Sequence, residues 1–507
     1  MLVADGPDDA YRRAAVRVHG GQCGIARVRA SGLDRARGGA VEAGERVTVR
    51  ISNELGNVAG NVVVRFDVGH HLYPDDTGED GPLLVYDSVR AAQRSTSEPN
   101  TASAMSVKPD HELRRAINEI EFDVFTGLPV AAGEARAVLG PLVTAAAPEM
   151  HARVAALVSL CGGASRGDYL AQFGVAGVTR FVTSAGATIF CLAAETYPSH
   201  VNNIYLIHDG AHRTLIDCGS DTELCRADLR RGATVVAQVY GVAPGLDDVG
   251  DVVITHGHVD HFTGIGAWAG RARVHVHEFD ARALTHYAER IVVTALQKRQ
   301  LFGQAGFGEA ESRELEQMYL QTRRTFTATP VDRLLTDGQF VNGLEMHHTP
   351  GHSAGQICPQ LHDILFTADH VLPCTTPHLA PESVSPWTGL DHYFLSLRKV
   401  GRLAGITLAL PGHEEPISGL EKRITEIGEF HHARLDRVRA SCQEPRTLAE
   451  ITVELFGARP GYVRILALEE AAAHVEYLAR RGWLEIANAD ELATLPVPVV
   501  SYRAAHA

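Results

Sequence analysis

"THGHVDHFTG", residues 255–264, places three histidines and an aspartate within six positions, His256 to His261. The preceding "DVVIT" is a short apolar run and predicts a buried strand. In the extended turn after it, residues two apart face the same way, so His256 and His258 can reach one ion. Asp260 and His261 follow where "HFTGIGAWAG" predicts a helix start, and they address a second position beside the first. Neutral imidazole with carboxylate suits zinc, iron or manganese.

Further donors arrive from three later strand ends. "HHTPGHSAGQI" (347–357) carries His352 next to Gly351 in a tight turn. "DILFTADHV" (363–371) is a strand ending in Asp369, and "LALPGHEEPI" (408–417) presents His413 after a Pro-Gly turn. Each sits beside small residues, as strand ends that carry a site do.

The order HxHxDH, then His, Asp and His, resembles the metallo-β-lactamase superfamily of metal-dependent hydrolases, over about residues 190–425. The resemblance implies an α/β fold, an αββα sandwich with its site at one edge of two packed sheets. It implies that His256, His258 and His352 hold one metal, that Asp260, His261 and His413 hold the other, and that Asp369 bridges them. Asp260 and Asp369 are then the carboxylates at the reacting centre. Two divalent ions, zinc first and iron or manganese as alternatives, would supply a bridging hydroxide near neutral pH and polarise the substrate oxygen. Asp217 in "LIDCG" resembles the family's early strand-end aspartate, which supports the site without binding metal.

The ligand types separate neighbouring branches. A flavodiiron site has glutamate where His258 stands. Cys358 and Cys374 occupy no ligand position and read as small buried hydrophobes. The set is closer to glyoxalase II, related thioesterases and the RNA-processing branch, while a persulfide dioxygenase with one iron shares many of these residues. "PGHEE" departs from the family's "PGHG", with Glu414 in place of glycine.

Around this centre the chain divides into three parts. Residues 1–178 predict an α+β domain, with strands "RVTVRIS" (46–52), "NVVVRFDV" (61–68) and "LLVYDSV" (83–89). The helices "HELRRAINEIEFDVF" and "PEMHARVAALVSL" follow. His70-His71 read as surface or turn histidines. Residues 179–425 form the hydrolase domain, interrupted between about 278 and 326 by a helical stretch suited to a lid or pocket wall. Residues 426–507 predict three helices and a β-ribbon, the plan of a winged helix. A capping box at Thr447 and Glu450 opens one helix, and Gly482 stops another.

Composition bounds the function. Net charge is −14, from 47 basic and 61 acidic residues, with no dense basic run, which argues against bulk attraction to nucleic acid. From Gly428 onward there are nine arginines, no lysines and eleven acidic residues. The last helix carries Glu469, Glu470 and Glu476, a face expected to repel phosphate. The eight cysteines contain no CxxC pair, so a reducing cytoplasm is expected. No signal-peptide core and no apolar run of membrane-spanning length is present.

A winged helix behind such a domain resembles a subgroup of acyl-thioester hydrolases and an endoribonuclease. "DHYFLSLRKV" (391–400) resembles that subgroup's helix, with Tyr393 read as either pocket wall or core. The expectation is therefore a dinuclear metal-dependent hydrolase of a small acyl substrate, preferably a CoA- or carrier-linked thioester. Thiolate leaves readily and needs no separate general acid. Lys298, Arg299, Arg323 and Arg324 are candidate phosphate contacts, each weighed against an ordinary solvated helix face. Endoribonuclease, lactone or ester hydrolase, and non-catalytic winged-helix regulator are the rival readings. The C-terminal part is expected to serve in packing, as a pocket wall or in a homodimer contact.

Overall fold

The computed structural model describes residues 111–505 apart from 145, 176, 211, 243–245, 322–325, 493 and 495–497, and the backbone of six strands before them. The chain divides into two compact units, Met1–Ser106 and Val107–Ala507. The first contains β1 (Leu2–Ala4), β2 (Arg12–Ala14), β3 (Ala26–Ser31), β4 (Arg46–Ser52), β5 (Val58–Arg65) and β6 (Tyr73–Pro74), in one sheet of order β5-β4-β3-β2-β1-β6. The expected strands at 46–52 and 61–68 fall on β4 and β5. That at 83–89 and the pair His70-His71 lie outside the described residues.

The second unit opens with α1 (His111–Thr126), α2 (Ala132–Val143), α3 (Pro148–Cys161) and α4 (Arg166–Phe173). The sequence pattern groups these helices with the preceding segment, within residues 1–178. The structure instead packs them on the sheet that carries the site. Leu113, Ile117, Ile120 and Val124 on α1 share one core with Phe190, Leu192 and Ala194. An amphipathic helix buries its stripe against the nearest apolar sheet face, which decides the grouping.

The first sheet is built from β7 (Val178–Val182), β8 (Thr188–Tyr197), β9 (His200–Asp209) and β10 (His212–Ile216). After α5 (Glu223–Tyr240) come β11 (Asp251–Ile254), α6 (Val259–Phe262) and β12 (Arg273–His277). The helical stretch is α7 (Ala281–Thr285), α8 (Tyr287–Ala305) and α9 (Glu309–Gln321), and β13 (Arg333–Leu335) closes a seven-stranded sheet, β13-β12-β11-β10-β9-β8-β7. The second sheet has the order of the chain: β14 (Phe340–Val341), β15 (Leu344–His348), β16 (Ile357–Leu361), β17 (Ile364–Ala368) and, after α10 (Leu390–Val400), β18 (Leu408–Pro411).

Strand alternation places the two sheets face to face. Ile189, Tyr205, Ile207 and Val253 meet Met346, Ile357, Ile364 and Phe366 in a shared apolar layer. Their chain neighbours Phe190, Leu206, Val252 and Ile254 point away, into the core under α1 and α5. On the outer side of the second sheet, Cys358 and Leu365 pack with Val400 of α10. Helices thus flank both sheets, the expected αββα sandwich.

The chain ends with α11 (Leu420–Ser441), β19 (Arg446–Thr447), α12 (Leu448–Phe456), α13 (Gly461–Arg480), β20 (Leu484–Ile486), α14 (Ala489–Leu492) and β21 (Ser501–Ala504). β19, β21 and β20 form a small antiparallel sheet. The Thr447–Glu450 capping box is formed. Gly482, at φ 68°, follows the end of α13. Among the described residues, no helix is long and apolar enough to cross a membrane.

Candidate metal centre

Parallel pairing brings the functional residues to one edge. β10, β11 and β12 run parallel, so Asp217, His256 and Asp280 emerge just beyond the same ends of neighbouring strands. β17 and β18 are also parallel, and Asp369 and His413 follow their ends. His258 precedes α6, which carries Asp260 and His261.

All seven residues named from the sequence meet here. Ligand atoms of His256, His258 and His352 lie within 4.8 Å of one another, as do those of His256, His261 and Asp369. His200 joins Asp260 and His413 in a third such group. Asp369 stands between the two halves. Its Oδ2 is 3.6 Å from His352 Nε2, 3.9 Å from His256 Nε2 and 3.3 Å from His413 Nε2, and its Oδ1 is 3.4 Å from His261 Nε2. Gly412 allows this approach, because a Cβ there would lie 2.4 Å from Asp369 Oδ1.

Hydrogen bonds on the far side of four imidazoles fix their tautomers. His256 Nδ1 donates to Thr255 Oγ1 (3.1 Å), His261 Nδ1 to Asp217 Oδ2 (2.8 Å), His352 Nδ1 to the His378 carbonyl (2.8 Å) and His413 Nδ1 to the Val201 carbonyl (2.8 Å). Each therefore turns its Nε2 inward, the orientation of a ligating histidine. His258 turns Nδ1 inward, 3.1 Å from His256 Nε2.

The electrostatics divide the site. Burial, reinforced by neighbouring histidines, pulls His256 and His258 well below the ordinary imidazole range and lowers His352. These three stay neutral and able to donate a lone pair. Burial opposes ionisation of Asp260 and Asp369, yet His261 and His413 bring both carboxyls well below their usual value. Burial likewise opposes charge on His413, but Asp369 and Asp260 push it up to about 10. The carboxylates thus create a strong demand for positive charge. His352 Nε2 and Asp369 Oδ1 are buried with no hydrogen-bond partner among the described residues. A donor set of this kind fits divalent cations.

Several supporting residues escaped the sequence reading. His200 Nε2 lies 3.0 Å from Asp260 Oδ2, and Asn202 Nδ2 donates to the same oxygen at 3.1 Å. Their only signal is the two-residue spacing in "SHVNN", which puts both on one face of β9. Asp280 Oδ2 accepts from the Gly257 N–H and from Ser353 Oγ, both at 2.8 Å. It thereby ties together the two turns that carry His256, His258 and His352.

Other expectations are corrected. Tyr393 is fully buried and donates to the His370 carbonyl at 2.9 Å, so it is a core residue beneath the His352 turn rather than a pocket wall. Cys358 is buried as expected, but Cys374 is exposed. Lys298 is not on a solvated face. It is 5% exposed, its ammonium meets Glu469, and burial pulls it down to about 7. Arg299 reaches Glu316 at 3.6 Å, and Arg323 and Arg324 lie outside the described residues. Glu469 and Glu470 are buried against the protein, so they do not form an outward phosphate-repelling face. A fourth donor group, His431, Glu470 and His474, is largely bonded within the protein. His474 Nδ1 donates to the Glu470 carbonyl at 2.7 Å, its Nε2 meets His431 Nδ1 at 3.2 Å, and the Glu470 carboxylate is held by Arg434 and the Leu379 N–H.

Residues 198–413 match the family model described as "Metallo-beta-lactamase superfamily". The chain is similar to the probable metallo-hydrolase YqjP of Bacillus subtilis (strain 168), 25% identical over 293 residues, 54% of this chain and 86% of that protein. It is similar in structure to a metallo-beta-lactamase family protein of Thermus thermophilus, with TM-score 0.51 and 26% identity, over 62% of this chain and 98% of the other. A beta-lactamase domain protein from Burkholderia ambifaria shares the fold, with TM-score 0.50 and 23% identity, over 64% and 95% of the two chains.

Proposed function

We propose that this protein is a dinuclear metal-dependent hydrolase of small acyl substrates, with a CoA- or carrier-linked thioester as the preferred class. The observation that carries the reading is the set of inward ring nitrogens of His256, His258, His261, His352 and His413 around Asp260 and Asp369. His256, His258 and His352 would hold one ion, Asp260, His261 and His413 the other, and Asp369 both. Zinc is the first choice, with iron or manganese compatible with the same donors. When bound, such ions acidify water and polarise a carbonyl oxygen.

The protein's own contribution is orientation. Asp217 and Thr255 hold His261 and His256 in one tautomer, and Asp280 sets the spacing between the turns of the first half. Asp260 and Asp369 remain ionised and take up positive charge. His200 contacts Asp260 while leaving 41% of its own side chain exposed. Arg290 reaches the Gly257 carbonyl at 3.5 Å and has no carboxylate within ion-pair distance among the described residues, a cation suited to an acidic substrate handle. A thiolate leaving group fits a site whose carboxylates stay deprotonated and supply no evident acid.

The test is thiol release from an acyl-CoA panel by metal-replete protein, with His258→Ala as control. Release that vanishes in the variant supports the reading. No release from protein with metals bound removes thioesters as the substrate class, and RNA, lactones and persulfides follow in that order.

A further inference from the structure

Two adjacent carboxylates on α13 have no part in the chemistry above. Glu469 is 2% and Glu470 7% exposed, a placement that is costly without partners. Each has one cation: the Lys298 ammonium meets Glu469, and Arg434 donates to Glu470 at 2.5 Å. One further contact from each reaches the same short piece of loop between β17 and α10. Glu470 Oε2 accepts from the Leu379 N–H at 2.8 Å. Glu469 Oε2 lies 3.6 Å from His378 Nε2, and the same nitrogen lies 3.2 Å from the Leu466 carbonyl of α13. The loop is tied to this helix again where Ser383 meets Glu476 and where Arg480 meets Glu382.

The His378 carbonyl is the acceptor that orients His352. A short path of contacts therefore runs from α13 through the 378–379 backbone to the imidazole of the first half-site. We infer that Glu469 and Glu470 are positioning residues of the metal centre, through which the C-terminal segment holds the carbonyl that aims His352. The inference rests on the reading of His352 as a ligand. It gives the C-terminal helices a role in the centre itself, and it explains why two acids and a lysine are buried together where apolar residues would be simpler.

Outer hydrogen-bond partners of ligating histidines typically influence metal affinity by about 10–100-fold. The experiment uses the full chain loaded with Co(II), read by chelator competition and by the visible absorption of the bound ion. Glu470→Ala is expected to weaken one equivalent of Co(II) by about 10-fold or more and to shift its absorption bands. Glu470→Gln keeps an acceptor for the Leu379 N–H and is expected to restore both. His378→Leu cuts the side-chain tether to α13 but keeps the carbonyl. It is expected to weaken the same equivalent several-fold, and it serves if Glu470→Ala does not fold. Leu468→Ala, a packing change on the same helix, is expected to lower the melting temperature without altering affinity or spectrum. Wild-type affinity and spectrum in Glu470→Ala and in His378→Leu would overturn the inference alone, as would the same spectral change in Leu468→Ala. A wild-type protein that binds no Co(II), with His352→Ala indistinguishable from it, would overturn the ligand reading and this inference with it.

Discussion

His261 Nδ1 donates to Asp217 Oδ2 at 2.8 Å, and Asp217 holds this position at φ 60°, a backbone conformation that few non-glycine residues adopt. Asp217 also accepts from the Thr255 N–H and Thr255 Oγ1, both at 2.8 Å. One carboxylate thus aligns the entry to the His256 turn and the ring of His261. Asp217→Asn brings an amide nitrogen toward groups that are donors themselves. It should lower metal affinity or activity by about 10–100-fold, measured by metal titration and turnover. Asp217→Ala should behave no better.

Asp280 joins the two turns of the first half-site. Its Oδ2 takes both the Gly257 N–H and the Ser353 hydroxyl. Asp280→Ala leaves a buried donor unmatched and should cost about 1–3 kcal/mol of stability in denaturant unfolding. Asp280→Asn can present its amide oxygen to the same donors and should be milder. Ser353→Ala removes one of the two contacts and should fall closer to wild type.

Glu414 occupies φ 69°, the left-handed region, which gives a physical reason for glycine at this place in the family pattern. Its carboxylate offsets the strain by accepting from the Cys374 N–H at 2.8 Å. Glu414→Ala keeps the strain and loses the contact, so it should destabilise by about 1–2 kcal/mol. Glu414→Gly trades the contact for backbone freedom and should lie within about 1 kcal/mol of wild type. Thermal melts of the two variants make the comparison.

The central sandwich and the seven donors were legible because strand ends with His, Asp and Gly are local signals, and the spacing in HxHxDH is short. What was not legible depends on packing. Nothing in "HELRRAINEIEFDVF" says which sheet its apolar stripe covers. Lys298 reads as a surface cation until α13 delivers Glu469 from 171 positions later. Asp280 and His200 each gain their meaning from a partner on another strand. Tyr393 illustrates the same limit, since a buried and a pocket-lining tyrosine share one pattern.

The C-terminal segment should be acid-sensitive. Burial, with further repulsion from His474 and Arg434, lowers His431 to about 2, and burial lowers His474 to about 3. Burial raises Glu470 to about 7 against the opposing charge of Arg434. Between about pH 4.5 and 6.5, the unfolded chain carries protons on both histidines, and the folded chain carries one on Glu470. The unfolded state then binds about one proton more, so stability falls with falling pH by up to about 1.4 kcal/mol per pH unit. The histidine contribution is fully present above pH 6.5 and is lost toward the folded values. The Glu470 contribution has the opposite sign and is lost as pH rises toward 7. Denaturant unfolding at pH 5.0, 6.0 and 7.5 should show this slope, and His474→Gln should flatten it.

The central claim is that seven side chains form one two-ion centre, and metal stoichiometry with and without Asp369 tests it most directly. Elemental analysis of dialysed protein should find about two divalent ions per chain. Asp369→Ala should lose at least one of them together with hydrolytic activity. Two ions retained by Asp369→Ala, or wild-type protein that remains metal-free after incubation with zinc, iron or manganese, would contradict the account.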